Sequence, residues 1–174
     1  MGHSQRGLEG VSWVPGILGL PHTSREAEHL GALVPEARIY ARFEANLANT
    51  RDLASYRMIH FATHGFYDVA DPELSGIQLS TRDRNGAPID GILRSYAWEP
   101  GSLRADLVTL SACETGRVRA YRTEGPWGTS TALLGAGATR VLVSLWPVDD
   151  AATAMLMRTF YSQLIEAGSA PDEA

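Results

Sequence analysis

The chain has 174 residues, 44% of them hydrophobic and 20% charged, with a net charge of −5 and one cysteine. That length suits a single domain with a real core, and the acidic balance with scattered arginines argues against a nucleic-acid partner. A lone cysteine excludes an internal disulfide framework, and no run is long enough for a membrane span or patterned as a leader, so the sequence reads as cytoplasmic with no membrane partner.

Residues 1–10 read as an N-terminal tail, and residues 11–174 as one domain. Val11 to Leu20 is apolar but broken by Pro15, Gly16 and Gly19, which allows at most a short edge strand. Thr23 with Glu26 three residues on forms a capping box, opening a helix that runs through Leu33 and stops before Pro35. Arg38 to Ala41 reads as a second short strand, and Glu44 to Ser55 as helical. Arg57 to Thr63 is a continuous apolar run, as expected of a strand buried on both faces of a parallel sheet. From Asp68 to Gly101 the chain is rich in Asp, Gly, Pro and Ser, with apolar islands at Ile77 to Leu79 and Gly91 to Leu93. It reads as a long irregular excursion of the kind that is usually functional. Asp106 to Leu110 is the next buried strand, residues 126–138 a Gly- and Ala-rich helix, and Arg140 to Leu145 a further strand. Asp149 or Asp150 caps a last helix whose Met155, Leu156, Tyr161, Leu164 and Ile165 can cover the sheet. Strands alternating with helices predict a three-layer α/β fold.

The chemistry-bearing residues stand at strand ends. One strand leads into His60-Phe61-Ala62-Thr63-His64-Gly65, another into Ser111-Ala112-Cys113-Glu114-Thr115-Gly116. In a parallel sheet both would leave the carboxyl edge side by side, where open α/β folds keep their sites. Cysteine and histidine are the pair that thiol nucleophilic catalysis needs, and a neighbouring imidazole matters because a free thiol is only about a few per cent thiolate at neutral pH. The plain alternative for Cys113 is a buried small hydrophobe, and for His64 a structural role. His60 and His64 have the spacing of helical zinc ligands. Along a strand that spacing is about 13 Å, too far to share one ion, so no metal is expected and His60 reads as a core histidine. Gly135-Ala136-Gly137 precedes a strand instead of following one, which suits tight packing and a turn better than a dinucleotide loop. No Gly-x-Ser-x-Gly elbow supports Ser111 or Ser144 as a nucleophile. Glu114 reads as well as a solvent-facing turn carboxylate as it does as a group orienting the thiol.

Longer segments carry a family resemblance. Arg25-Glu26-Ala27-Glu28, Ile59 to Gly65, Leu74-Ser75-Gly76, Leu107 to Gly116, Glu124-Gly125, Ser144-Leu145-Trp146-Pro147-Val148-Asp149-Asp150 and Phe160-Tyr161 with Leu164 resemble the CHAT domain. This is a caspase-like peptidase family often found beside tetratricopeptide repeats, and the match runs from about Pro21 to Glu166 in family order. The resemblance implies a caspase-like three-layer α/β/α sandwich with a mostly parallel sheet. It makes His64 the catalytic histidine and Cys113 the nucleophile, with the Gly65 and Cys113 amides as oxyanion hole. The 49 residues from His64 to Cys113 agree with a caspase histidine about fifty residues upstream of its cysteine. The local Ser-Ala-Cys-Glu-Thr-Gly differs from the caspase Gln-Ala-Cys.

The implied activity is a cysteine endopeptidase without a cofactor, acting on a protein or peptide, with a tetratricopeptide-repeat segment as a possible partner. The alternative is a non-catalytic interaction domain that keeps the fold, since the family's final C-terminal strand is not found before Ala174. Caspases place an Arg directly after the Trp that ends the strand matching Arg140 to Leu145. Here Pro147 follows Trp146, so an acidic P1 residue is not expected. Trp146 and Asp149 are the candidate substrate-binding residues, with helix capping as the plain alternative for Asp149. Arg117, Arg119 and Arg122 lie in the loop after the nucleophile, where a solvated loop explains them equally well.

Overall fold

The computed structural model describes residues 11–15, 21–66, 68, 70–111, 127–144, 149–168, 170, 171 and 174. Strands β1 (Val11–Pro15), β2 (Arg38–Ile39) and β3 (Met58–Ala62) come first, with helix α1 (Pro21–Leu33) between β1 and β2. Then follow β4 (His64–Phe66), β5 (Gly76–Gln78), β6 (Ile92–Arg94) and β7 (Leu107–Leu110). Helix α2 (Trp127–Ala136), β8 (Val141–Val143) and helix α3 (Asp150–Glu166) complete the described elements. The strands β2-β1-β3-β7-β8 form one parallel sheet in that order, and β4-β5-β6 form a separate antiparallel one. Among the described residues no helix is long and apolar enough to cross a membrane.

The two central strands explain why the sequence shows no polar face there. Successive side chains point to opposite faces of a strand. Met58 and Leu107 join an apolar cluster with Leu30 of α1, with Val34 just after it, and with Met157, Phe160 and Tyr161 of α3. Ile59, Phe61, Val108 and Leu110 join another, with Leu133 and Ala136 of α2 and with Ile77 and Leu93 of the small sheet. Both faces are covered, so both sets must be apolar. Each fully buried Leu or Phe contributes about 1.5–3 kcal/mol, against roughly 0.5–1.5 for one ladder hydrogen bond. Coverage of the faces therefore holds this sheet more than pairing does.

Several elements differ from what the sequence predicts. β1 is not an edge strand, because it lies between β2 and β3. Pro15 is tolerated since the β2 ladder ends at Trp13↔Ile39, leaving Pro15 beside β3 alone. α1 starts at Pro21, a residue suited to a first helical position. The capping box thus falls inside the helix, and Glu26 is buried instead of closing its end. Residues 44–55 form 3₁₀ turns, Arg42–Glu44, Leu47–Thr50 and Leu53–Ser55, with no α-helix. Local side chains compete with the helical ladder there. Asn46 Oδ1 accepts from the Ala48 and Asn49 amides, Asn49 Nδ2 donates to the Glu44 carbonyl, and Thr50 Oγ1 donates to that of Leu47. The excursion from Asp68 to Gly101 is more ordered than it reads, because its two apolar islands become β5 and β6. Finally, Met155 and Leu156 are exposed, at 67% and 63%. The cover on the sheet comes from Met157, Phe160 and Tyr161, with Leu164 and Ile165 packed behind them.

Candidate active site

β3 and β7 are parallel neighbours, paired from Met58↔Leu107 to Phe61↔Leu110. The Ser111 amide extends the ladder by donating to the Phe61 carbonyl at 2.9 Å. Beyond this point the chain after β3 changes sheets. Thr63 is fully buried and its hydroxyl donates to the Gln78 carbonyl on β5. That bond hands the chain to β4, where His64 pairs with Gln78 and Gly65 with Ile77. One apolar run in the sequence is therefore two strands, broken at the threonine. His64 is half-buried, and its Nδ1 is buried with no hydrogen-bond partner among the described residues.

His60 is built differently. It is 1% exposed on the face covered by α1 and α3. Its Nδ1 lies 3.1 Å from the Tyr161 hydroxyl, and its Nε2 lies 2.8 Å from Glu26 Oε1. The Tyr161 hydroxyl also reaches Thr109 Oγ1 at 2.8 Å, and the two rings meet edge to face at 5.6 Å. Burial pushes the Tyr161 phenol well above its usual range, with the Thr109 hydrogen bond working the other way and the Glu26 carboxyl adding to the rise. This network ties α1 and α3 to β3 and β7. It is the core role expected for His60. Among the described residues no group of three or more His, Cys, Asp and Glu side chains is arranged to hold a metal ion.

Cys113, Glu114, Arg117, Arg119, Arg122 and Trp146 lie outside the described residues. Asp149 is exposed and caps α3, accepting from the Ala152 amide at 2.9 Å. Ser111 is buried. Gly135 and Ala136 end α2, and Gly137, with φ +114 directly after it, makes a tight turn where a Cβ would collide with the Leu103 carbonyl. Sequence reasoning missed the Glu26–His60–Tyr161–Thr109 network, because its members come from four elements distant in the chain. It also missed Gln78 and Arg94, which share a sheet face with His64. A signal existed for Arg94, since it follows Leu93 at the end of a short apolar island and period-2 alternation turns it away from the core.

No curated protein matches the chain. A family model does, the CHAT domain, over residues 2–174. With that match spanning nearly every residue, the chain belongs to the CHAT domain family.

Proposed function

We propose that the chain is a cysteine endopeptidase working through Cys113 and His64, on a caspase-like α/β/α sandwich. The register of β3 against β7 carries this reading. His64 follows Phe61 by three residues and Cys113 follows Leu110 by three, and Phe61↔Leu110 is the last pair between the two strands. The segments leading into His64 and Cys113 therefore leave adjacent strands at the same end of the sheet, which suits a thiol and an imidazole meeting over one substrate carbonyl.

In this mechanism the Cys113 thiolate attacks the scissile carbonyl carbon, forming a C–S bond. The carbonyl oxygen becomes an oxyanion, held by the Gly65 and Cys113 amides. As the C–N bond breaks, His64 gives its proton to the leaving amine, and a thioester remains. His64 then takes a proton from water, whose oxygen attacks the thioester. The C–S bond breaks, releasing the carboxylic acid and restoring the thiolate and the protonated imidazole. Gly65 suits its part because a residue without a side chain lets the carbonyl approach closely. The substrate is a protein or peptide. Trp146-Pro147 stands where caspases supply an arginine, and Asp149 follows it, so the P1 pocket favours an apolar or basic residue over Asp.

Peptides bearing a thiol-reactive electrophile test this reading. Wild type should be labelled, faster with an apolar or basic P1 than with Asp, and Cys113→Ala should not be labelled. Equal labelling of both proteins overturns the assignment. A folded wild type that takes no label and cleaves no peptide would mark the domain as a non-catalytic interaction module.

A further inference from the structure

The sheet face that carries His64 holds more than the imidazole. In an antiparallel sheet, directly paired residues and their i+2 neighbours share a face. The register pairs His64 with Gln78 and Gln78 with Ile92, then Phe66 with Gly76 and Gly76 with Arg94. These positions face one way, and Gly65, Ile77 and Leu93 face the other. Ile77 and Leu93 are 2% and 6% exposed within the core. The His64 face is the open one, and His64, Phe66, Gln78 and Arg94 are all half-buried on it.

Arg94 is held in place there. Its Nη1 donates to the Leu74 carbonyl at 3.0 Å. Its guanidinium carbon lies 6.0 Å from the centre of the Phe66 ring, reached across Gly76. Position 76 has no room for a side chain, since a Cβ would collide with the Leu93 carbonyl oxygen. Ion pairs among the described residues join Arg57 to Asp106 and Arg84 to Glu44, His60 lies beside Glu26, and none of these contacts includes Arg94. The acidic residues nearest in sequence to Leu74 do not neutralise it. The Asp71 carboxylate accepts from the Glu73 amide, and neither side chain is paired with the guanidinium. Beside it, the Gln78 carbonyl is taken by Thr63 while its side-chain amide has no partner among the described residues.

A guanidinium offers five donors in a rigid fork matched to a carboxylate. Here one donor is used and no counter-ion is present among the described residues. A side chain ordered before its ligand arrives loses little freedom on binding it. We infer that the His64 face of the small sheet is a subsite for an acidic side chain of the peptide substrate, with Arg94 pairing its carboxylate and the Gln78 amide beside it. Phe66 is two residues from His64, about 7 Å along the strand. The acidic residue therefore sits a few positions from the cleaved bond and is separate from P1. The identity of this ligand rests on the peptidase reading. Packing of an arginine stem alone is the competing account, and it predicts no dependence on substrate charge.

The test uses eight-residue peptides that carry Glu or Gln at each position in turn, against the full chain. Wild type should favour Glu over Gln about tenfold in kcat/KM at one position other than P1, through KM more than kcat, as one charge-assisted pair is worth. Arg94→Gln should erase the preference, Arg94→Lys retain part of it, and Arg94→Glu transfer it to Lys-bearing peptides. The same peptides, fluorescein-labelled, are titrated onto Cys113→Ala by fluorescence anisotropy, with and without Arg94→Gln. This arm reads the subsite without turnover. Cleavage with equal Glu and Gln kinetics at every position overturns the subsite and leaves the peptidase standing. Acidic peptides that bind in an Arg94-dependent way without ever being cleaved support the subsite and overturn the peptidase. Binding to Cys113→Ala that ignores position 94 overturns the subsite in either case.

Discussion

His60 and His64 lie four residues apart in one apolar stretch, yet the fold makes opposite uses of them. His60 points to the α1/α3 face, is 1% exposed, and has its ring nitrogens beside Tyr161 and Glu26. His64 lies past Thr63, on a different sheet, half-buried and with Nδ1 lacking a hydrogen-bond partner among the described residues. The identical side chain is a structural tie in one setting and, in the proposed mechanism, an acid–base group in the other. What separates them is the sheet change at Thr63, because a strand continued without it would have kept His64 on the same face as His60.

The sharpest test of that contrast replaces each histidine separately. His64→Ala should reduce peptide turnover by about 10² to 10⁴, the usual worth of a positioned acid–base group, while stability changes by less than about 1 kcal/mol. Both quantities are readable on one preparation, by initial rates and by urea unfolding. His60→Ala should do the reverse and lower unfolding stability by about 3–5 kcal/mol, since it strands a buried Glu26 carboxyl and opens a cavity. If His60→Ala folds stably while losing turnover, the two roles are interchanged.

The sequence makes this contrast partly legible. The apolar run from Met58 to Ala62 and the one from Leu107 to Leu110 read directly as buried parallel strands, because both faces being apolar leaves few other readings. The place of His64 just past the end of β3 follows from the same pattern, although its position on β4 does not. The identity of the partners of His60 does not. Glu26 sits in a stretch that looks like a capping box, and only tertiary packing draws it 2.8 Å from an imidazole 34 positions away. The three-stranded sheet behind His64 is also poorly legible, since strands of three residues show too little alternation to stand out from turns. On α3, Met155 and Leu156 fit a helical apolar stripe as well as Met157 and Phe160 do, and the rotation of the helix on the sheet decides between them. The helix expected over 44–55 fails for a local reason instead, the side-chain bonds of Asn46, Asn49 and Thr50.

The smallest effect lies in the hydroxyl that joins the His60 network to β7. Tyr161→Phe keeps the ring, its edge contact with His60 and its packing on Phe160, and removes the hydroxyl that links His60, Thr109 and α3. At neutral pH this should cost about 1 kcal/mol, the net worth of one hydrogen bond, or somewhat more where the buried partners are left unsatisfied. The variant has a second, more telling signature. Burial raises the Tyr161 phenol above its unfolded value near pH 10. Below that pH both states hold the proton and the contribution to stability is constant. Above it the unfolded chain gives up the proton while the folded chain keeps it, so stability falls as pH rises, by up to about 1.4 kcal/mol per pH unit. Tyr56 bends the curve the same way, its phenol raised by burial and by its hydrogen bond with Tyr40. Tyr161→Phe should therefore flatten, without abolishing, the loss of unfolding stability between pH 10 and 11.5. A variant whose stability falls as steeply as wild type over that range would mean that the Tyr161 hydroxyl is not sealed in the core, and the contrast between a closed His60 and an open His64 would lose its physical basis.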